Sequence, residues 1–239
     1  MITSEPVINK IEGQPMPWLE NEDMFYMMTS GGLMICRNHQ YFTSCAPARS
    51  GPSDLGEQEP FCKINYLRVP RVLLEQVAAF FQRMDDDWFG EAAVILLHNP
   101  DTDEMKLLIP EQECSMGSVH YTIPINIEPG WRMIGDIHSH VRMDAFSSGV
   151  DVRDETSRPG LHIVIGKINE EPPDFHAEVV VDGMRFKANI EDVIEDYVAR
   201  TSFPEEWMQK VKKQKWEWQG WQGGKHWWKG GAAHDQLAD

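Results

Sequence analysis

Apolar residues recur at helical spacing at Val72, Leu73, Val77, Phe80, Phe81 and Met84, which gives one apolar face and predicts a helix. Pro70 suits its first position, because proline has no N–H to leave unpaired there. Asp85-Asp86-Asp87 closes it against the helix dipole and reads as a solvated corner. Ala92–His98 is a near-continuous apolar run of strand length, the pattern of a strand covered on both faces. Asn99-Pro100-Asp101 turns the chain toward a partner strand at Met105–Ile109. Val119–Ile123, Arg132–Ile137 and Leu161–Ile165 read as further strands. Ala177–Val181 and Met184–Lys187 flank Asp182-Gly183, a hairpin signal. Ile190, Val193, Ile194, Tyr197 and Val198 predict a closing helix. This order of elements describes an α/β sandwich with a mixed β-sheet flanked by helices.

Either side of this body the pattern weakens. Residues 1–65 read as an N-terminal extension and a possible small β subdomain: Leu33–Arg37 and Tyr41–Cys45 flank Asn38-His39 as a hairpin would, and Ala46–Pro60 reads as a loop. Residues 66–200 form the main domain. Residues 201–239 are a tail rich in Trp, Lys and Gly. It carries six of the nine tryptophans, Trp207, Trp216, Trp218, Trp221, Trp227 and Trp228. Exposed Trp beside Lys marks an interaction segment; the alternative is a tail packed across its own domain. Gly223-Gly224 and Gly230-Gly231 raise the question of self-clipping, against the simpler reading of a glycine linker.

The formal net charge of −16 disfavours nucleic acid as the main partner, since phosphate backbones are met by basic patches. No run approaches a membrane span, and the first residues read as lacking a signal peptide. The four cysteines, Cys36, Cys45, Cys62 and Cys114, show no CxxC spacing and read as buried thiols, in keeping with a cytoplasmic location.

The chemistry concentrates at Gly135-Asp136-Ile137-His138-Ser139-His140. Side chains at i and i+2 of an extended segment leave the same face, so His138 and His140 can address one ion while Ser139 faces away. Ser148-x-x-Asp151 fits a capping box that would start a helix and fix both side chains. Two His and one Asp leave a fourth tetrahedral position for water, the layout of a catalytic zinc site. Asp136 shares the histidines' face and is a candidate to orient one of them. Ser147 is a neighbouring hydroxyl at the wrong spacing, and Asp154 and Glu155 read as ordinary first-turn acids. His98 and His162 lie in apolar runs and read as satisfied core or edge residues.

His138-x-His140, seven residues, then Ser148-x-x-Asp151 resembles the signature of the JAB/JAMM (MPN+) zinc metalloproteases, over roughly Leu67 to Val198. Gly135–Glu155 most resembles bacterial members encoded beside ubiquitin-like, E1-like or E2-like partners. The resemblance implies a JAB/MPN-like (cytidine-deaminase-like) fold, Zn2+ held by His138, His140 and Asp151, and Glu91 as the general base toward zinc-bound water. It also implies that Ser148 helps hold the oxyanion. The implied reaction is hydrolysis of the amide bond after the C-terminal glycine of a ubiquitin-like protein, in a conjugate or a precursor. Val141 stands where the family has proline, a difference of loop shape and not of ligands. Other readings are a zinc hydrolase of small peptides or amides, a metal-free MPN-type scaffold, and a nucleic-acid factor using the tail.

Overall fold

The apolar runs become strands because each is followed by a turn that returns it to a neighbour. In a computed structural model, which describes residues 5–52, 55–56 and 58–214, the chain divides into two compact units, Met1–Phe61 and Cys62–Asp239. Five of the six tail tryptophans and both glycine pairs lie outside the described residues.

The first unit is a four-stranded sheet of β1 (Val7–Asn9), β2 (Met24–Thr29), β3 (Gly32–His39) and β4 (Phe42–Pro47), in that order. β3 and β4 form a hairpin closed at His39 and Phe42, so the turn is Gln40-Tyr41, two residues later than Asn38-His39. β2, which the sequence pattern did not mark, supplies Phe25 and Met27 to a small core with Cys36. Trp18 packs edge-on against Phe25 and donates its indole N–H to Asn38 at 2.8 Å.

The second unit opens with α1 (Arg71–Trp88), preceded by Pro70 as its cap residue. Pro70 offers no side-chain hydrogen bond; the remote carboxylate of Glu195 accepts from Arg71 N–H at 2.7 Å and takes over part of that role. The main sheet follows from β5 (Ala93–Asn99), β6 (Glu104–Leu108), β9 (Arg132–Ser139), β10 (Gly160–Gly166), β11 (Asp174–Val181) and β12 (Met184–Lys187). Its order is β12-β11-β10-β9-β5-β6; the β9–β10 pair is parallel and the others are antiparallel, so the sheet is mixed. A second, three-stranded sheet runs β13 (Val211–Lys213), β7 (Gln112–Ser115), β8 (Ser118–Tyr121). The fold class is α/β.

Side-chain alternation divides the main sheet's labour between its faces. Val94, Leu96, Ile137, Leu161, Ile163 and Ile165 belong to one core with Leu74, Val77, Phe80, Phe81 and Met84 of α1. The opposite face carries Asp136, His138 and His162. Just before them β9 bulges: Leu96 faces Gly135 and Leu97 faces Met133. Gly135 is required there, since a Cβ would lie 1.8 Å from Leu161 O.

Three expectations are corrected. Asp85 is not at a solvated corner: it is 2% exposed and ion-paired with Arg142 Nε at 2.9 Å. The closing helix, α3, spans only Ile190–Val193. Beyond it the backbone pairs with Val69 instead, Val69 N–H donating to Val193 O and Glu195 N–H to Val69 O. Residues 203–214, grouped with the tail by composition, pack on the main body: Trp207 lies edge-on to Phe80, and β13 pairs with β7.

Candidate metal centre

His138 and His140 come from the end of β9 and the residue after it, and Asp151 comes from α2 (Gly149–Glu155). One ligand atom from each of the three lies within 4.8 Å of the others. His138 Nε2 is 3.6 Å from Asp151 Oδ1, and His140 Nε2 is 3.3 Å from Asp151 Oδ2. α2 begins as the sequence pattern required. Ser148 caps it, its Oγ accepting from Asp151 N–H at 3.3 Å while Asp151 Oδ2 accepts from Ser148 N–H at 2.7 Å. The box thus fixes the aspartate and leaves the serine O–H hydrogen free to donate.

Glu91 precedes β5 and is held by its neighbours' backbone. Glu91 N–H donates to Ser115 O at 2.9 Å, Ala92 N–H donates to Ser139 Oγ at 3.0 Å, and Ser139 N–H donates back to Ala92 O. Gln112 brackets Ala93, accepting from its N–H and donating to its carbonyl, both at 2.9 Å. Ser139 therefore faces away from the histidines, and its hydroxyl ties Glu91's strand to theirs. Glu91, His138, His140, Ser148 and Asp151 line one cleft of about 180 Å3. Met143, Phe146 and Val150 supply its apolar side, and Gly117–Tyr121, mostly β8, another wall. A larger cavity of about 450 Å3, between Cys62–Ile64 and Val179, Phe186 and Val193, contains none of these five residues.

The electrostatics favour a cation among these groups. Burial pushes the Glu91 carboxyl up to about 7, against the pull of His140 and His138 and with help from Asp151. Burial also works against charge on Asp151, but the imidazoles of His138 and His140 beside it outweigh that and hold the carboxyl well below the usual range. For His138, burial disfavours the imidazolium, yet Asp151, Asp136 and Glu155 together raise its affinity for a proton. His138 Nε2 and His140 Nδ1 are buried and have no hydrogen-bond partner among the described residues. Two imidazoles and a carboxylate, with a buried nitrogen unsatisfied beside the carboxylate, are a donor set that fits zinc.

Behind these side chains lies a polar network that spacing along the chain did not reveal. Asp136 is 1% exposed; its Oδ1 is 4.0 Å from His138 Nδ1 and 3.2 Å from His162 Nδ1, and its Oδ2 is 3.2 Å from Arg158 and accepts from Tyr121 Oη–H at 3.2 Å. Burial would raise the Asp136 carboxyl, but His162, His138 and Arg158 bring it below the usual range. Glu155 is not an ordinary first-turn acid: it is 1% exposed, 2.6 Å from Arg185 and 3.6 Å from His162. Ser147 donates to Glu178 at 3.0 Å and takes no place in the cleft. His162 is a satisfied core residue, and His98 is satisfied at 2.8 Å by Asp103.

The loop after His140 takes a shape proline could not. Val141 has φ 49°, outside proline's fixed range. Its carbonyl accepts from Ile168 N–H at 2.7 Å, and Met143 O accepts from Lys167 N–H at 2.6 Å. A Cβ at Gly166 would lie 2.4 Å from both Met143 O and Ala145 N, so the close approach of this loop to the end of β10 depends on that glycine.

No family model and no curated protein matches the chain. Solved structures do. A JAB1/MPN domain protein from Archaeoglobus fulgidus aligns at 19% identity and a TM-score of 0.37, over 54% of this chain and all of that one. A protein from Desulfitobacterium hafniense aligns at 14% identity and a TM-score of 0.35, over 55% of this chain and 95% of that one.

Proposed function

We propose that the chain is a zinc-dependent hydrolase of the JAMM type that cleaves the amide bond after the C-terminal glycine of a ubiquitin-like protein, by deconjugation or precursor processing. The observation that carries this reading is the convergence of His138, His140, Asp151, Glu91 and Ser148 on one cleft. His138, His140 and Asp151 would hold the metal. Bound there, zinc supplies Lewis acidity, acidifying water and polarising the scissile carbonyl.

The chain's own groups do the rest. Glu91, poised near neutrality by burial, takes a proton from the attacking water and delivers it to the leaving amine. The Ser148 hydroxyl donates to the oxyanion that develops on the carbonyl. Among the described residues β8 pairs with β7 on one side only, which leaves its other edge for an extended peptide to pair with beside the cleft. A glycine-rich end fits, because only residues without side chains approach so closely to buried ligands. As partners we propose ubiquitin-like proteins or their conjugates, with E1-like or E2-like proteins as associates. Among the described residues no helix is long and apolar enough to cross a membrane.

Two consequences follow for residues beside the ligands. Ser148→Ala should lower kcat by about 10²–10³-fold through loss of the oxyanion donor and cost about 1 kcal/mol of stability through loss of the cap; steady-state kinetics and urea melts separate the two. Asp136→Asn should weaken zinc retention about 10–100-fold, because the charge orienting His138 is removed. Competition against a chromophoric chelator measures it.

The test of function is purified protein incubated with a ubiquitin-like protein ending in Gly-Gly, joined to a lysine side chain or extended as a linear precursor. Cleavage after the last glycine is expected. Cleavage of short model peptides with no response to the ubiquitin-like protein would favour the small-amide hydrolase instead.

A further inference from the structure

β3 and β4 place Cys36 directly opposite Cys45. Their register decides the kind of pair. Ala48 N–H donates to Leu33 O at 2.9 Å, so Leu33 and Ala48 form a hydrogen-bonded pair, and strict alternation makes Cys36 and Cys45 a non-hydrogen-bonded one. In that class the Cα atoms lie about 4.5 Å apart and the side chains approach most closely, which is within the range a disulfide spans. The two sulfurs are 3.0 Å apart, and both side chains pack in the core of Phe25 and Met27. Cys36 is fully buried and Cys45 half-buried.

We propose that Cys36 and Cys45 are a reversible redox pair, closed to a cross-strand disulfide by exchange with a low-molecular-weight disulfide such as oxidised glutathione. The thiolate of Cys45, the sulfur nearer solvent, attacks one glutathione sulfur and releases the first glutathione thiolate. The thiolate of Cys36 then attacks the Cys45 sulfur of that mixed disulfide and releases the second. Two cysteine thiols are oxidised, one glutathione disulfide is reduced to two thiols, and the two cysteine protons pass to the released thiolates. Burial, with Cys45 beside it, pushes the Cys36 thiol up to about 12, so Cys36 serves as the resolving sulfur and not the entering one. The bond would staple a hairpin in a unit whose buried core among the described residues is small.

Trypsin cuts after Lys10, Arg37 and Arg49, so the disulfide would join peptide 11–37 to peptide 38–49. The full chain is incubated with oxidised glutathione, denatured, alkylated and digested without reduction. The expected result is the joined pair, about 2 Da lighter than the two free-thiol peptides together, with Cys62 and Cys114 still alkylated in whatever chains carry no glutathione on them. Dithiothreitol should return both peptides to the alkylatable form. In Cys45→Ser the joined pair should vanish and Cys36 should alkylate after denaturation. Alkylation of both Cys36 and Cys45 after oxidation, glutathione retained on Cys45, or a bond from either to Cys62 would each overturn the proposal.

Discussion

Glu91→Gln should abolish turnover by about 10²–10⁴-fold, the usual contribution of a general acid–base group, while leaving one zinc per chain. The amide keeps the shape of the side chain and its place behind β5, but it cannot carry a proton between water and amine. The same substitution has a second, opposite signature. In the metal-free protein the folded-state pKa of Glu91, about 7, lies above the ordinary carboxylate value near 4.5. Stability from this group is therefore complete below about pH 4.5 and is lost as pH rises through 7, for a penalty of about 3 kcal/mol at pH 8. Metal-free Glu91→Gln should consequently melt above metal-free wild type at pH 8, and the difference should shrink toward pH 5. Thermal melts at the two pH values check it. An inert Glu91 would leave both turnover and the pH trend unchanged.

His138→Ala should lose metal and activity together, to background in both. His138 presents one nitrogen to Asp151 and the other to Asp136, so its loss removes the imidazole between the two carboxylates. Removing it also leaves Asp136, Asp151 and Glu155 without the imidazole they surround, and the metal-free variant should be less stable than wild type. Metal analysis after dialysis, beside turnover, distinguishes this variant from Glu91→Gln: one is empty and inactive, the other loaded and inactive.

The clustering of His138, His140, Ser148 and Asp151 was legible because it depends on local periodicities. His138 and His140 need only a strand's two-residue repeat, and Ser148 with Asp151 needs only a helix start. Placing Glu91 depended on the family resemblance, since one acid before an apolar run says little; its anchors, Ser139 and Gln112, arrive from strands far along the chain. The network around Asp136 was illegible for the same reason. Tyr121, Glu155, Arg158 and His162 belong to different elements, and only the sheet register brings His162 opposite Asp136. Asp85 did carry a signal. It follows Phe81 by four residues on the stripe that continues through Met84, so its burial was readable, though its partner Arg142 was not. The short α3 shows periodicity overruled: Ile194 has helical spacing, but Val69 claims the backbone groups that a longer helix would have used.

Crystals grown with zinc, measured on both sides of the zinc absorption edge, test the central claim most directly. One anomalous peak should stand about 2.0–2.2 Å from a nitrogen of His138, a nitrogen of His140 and a carboxylate oxygen of Asp151, with Glu91 facing it across the cleft. Zinc bound elsewhere, with this triad empty, would contradict the account.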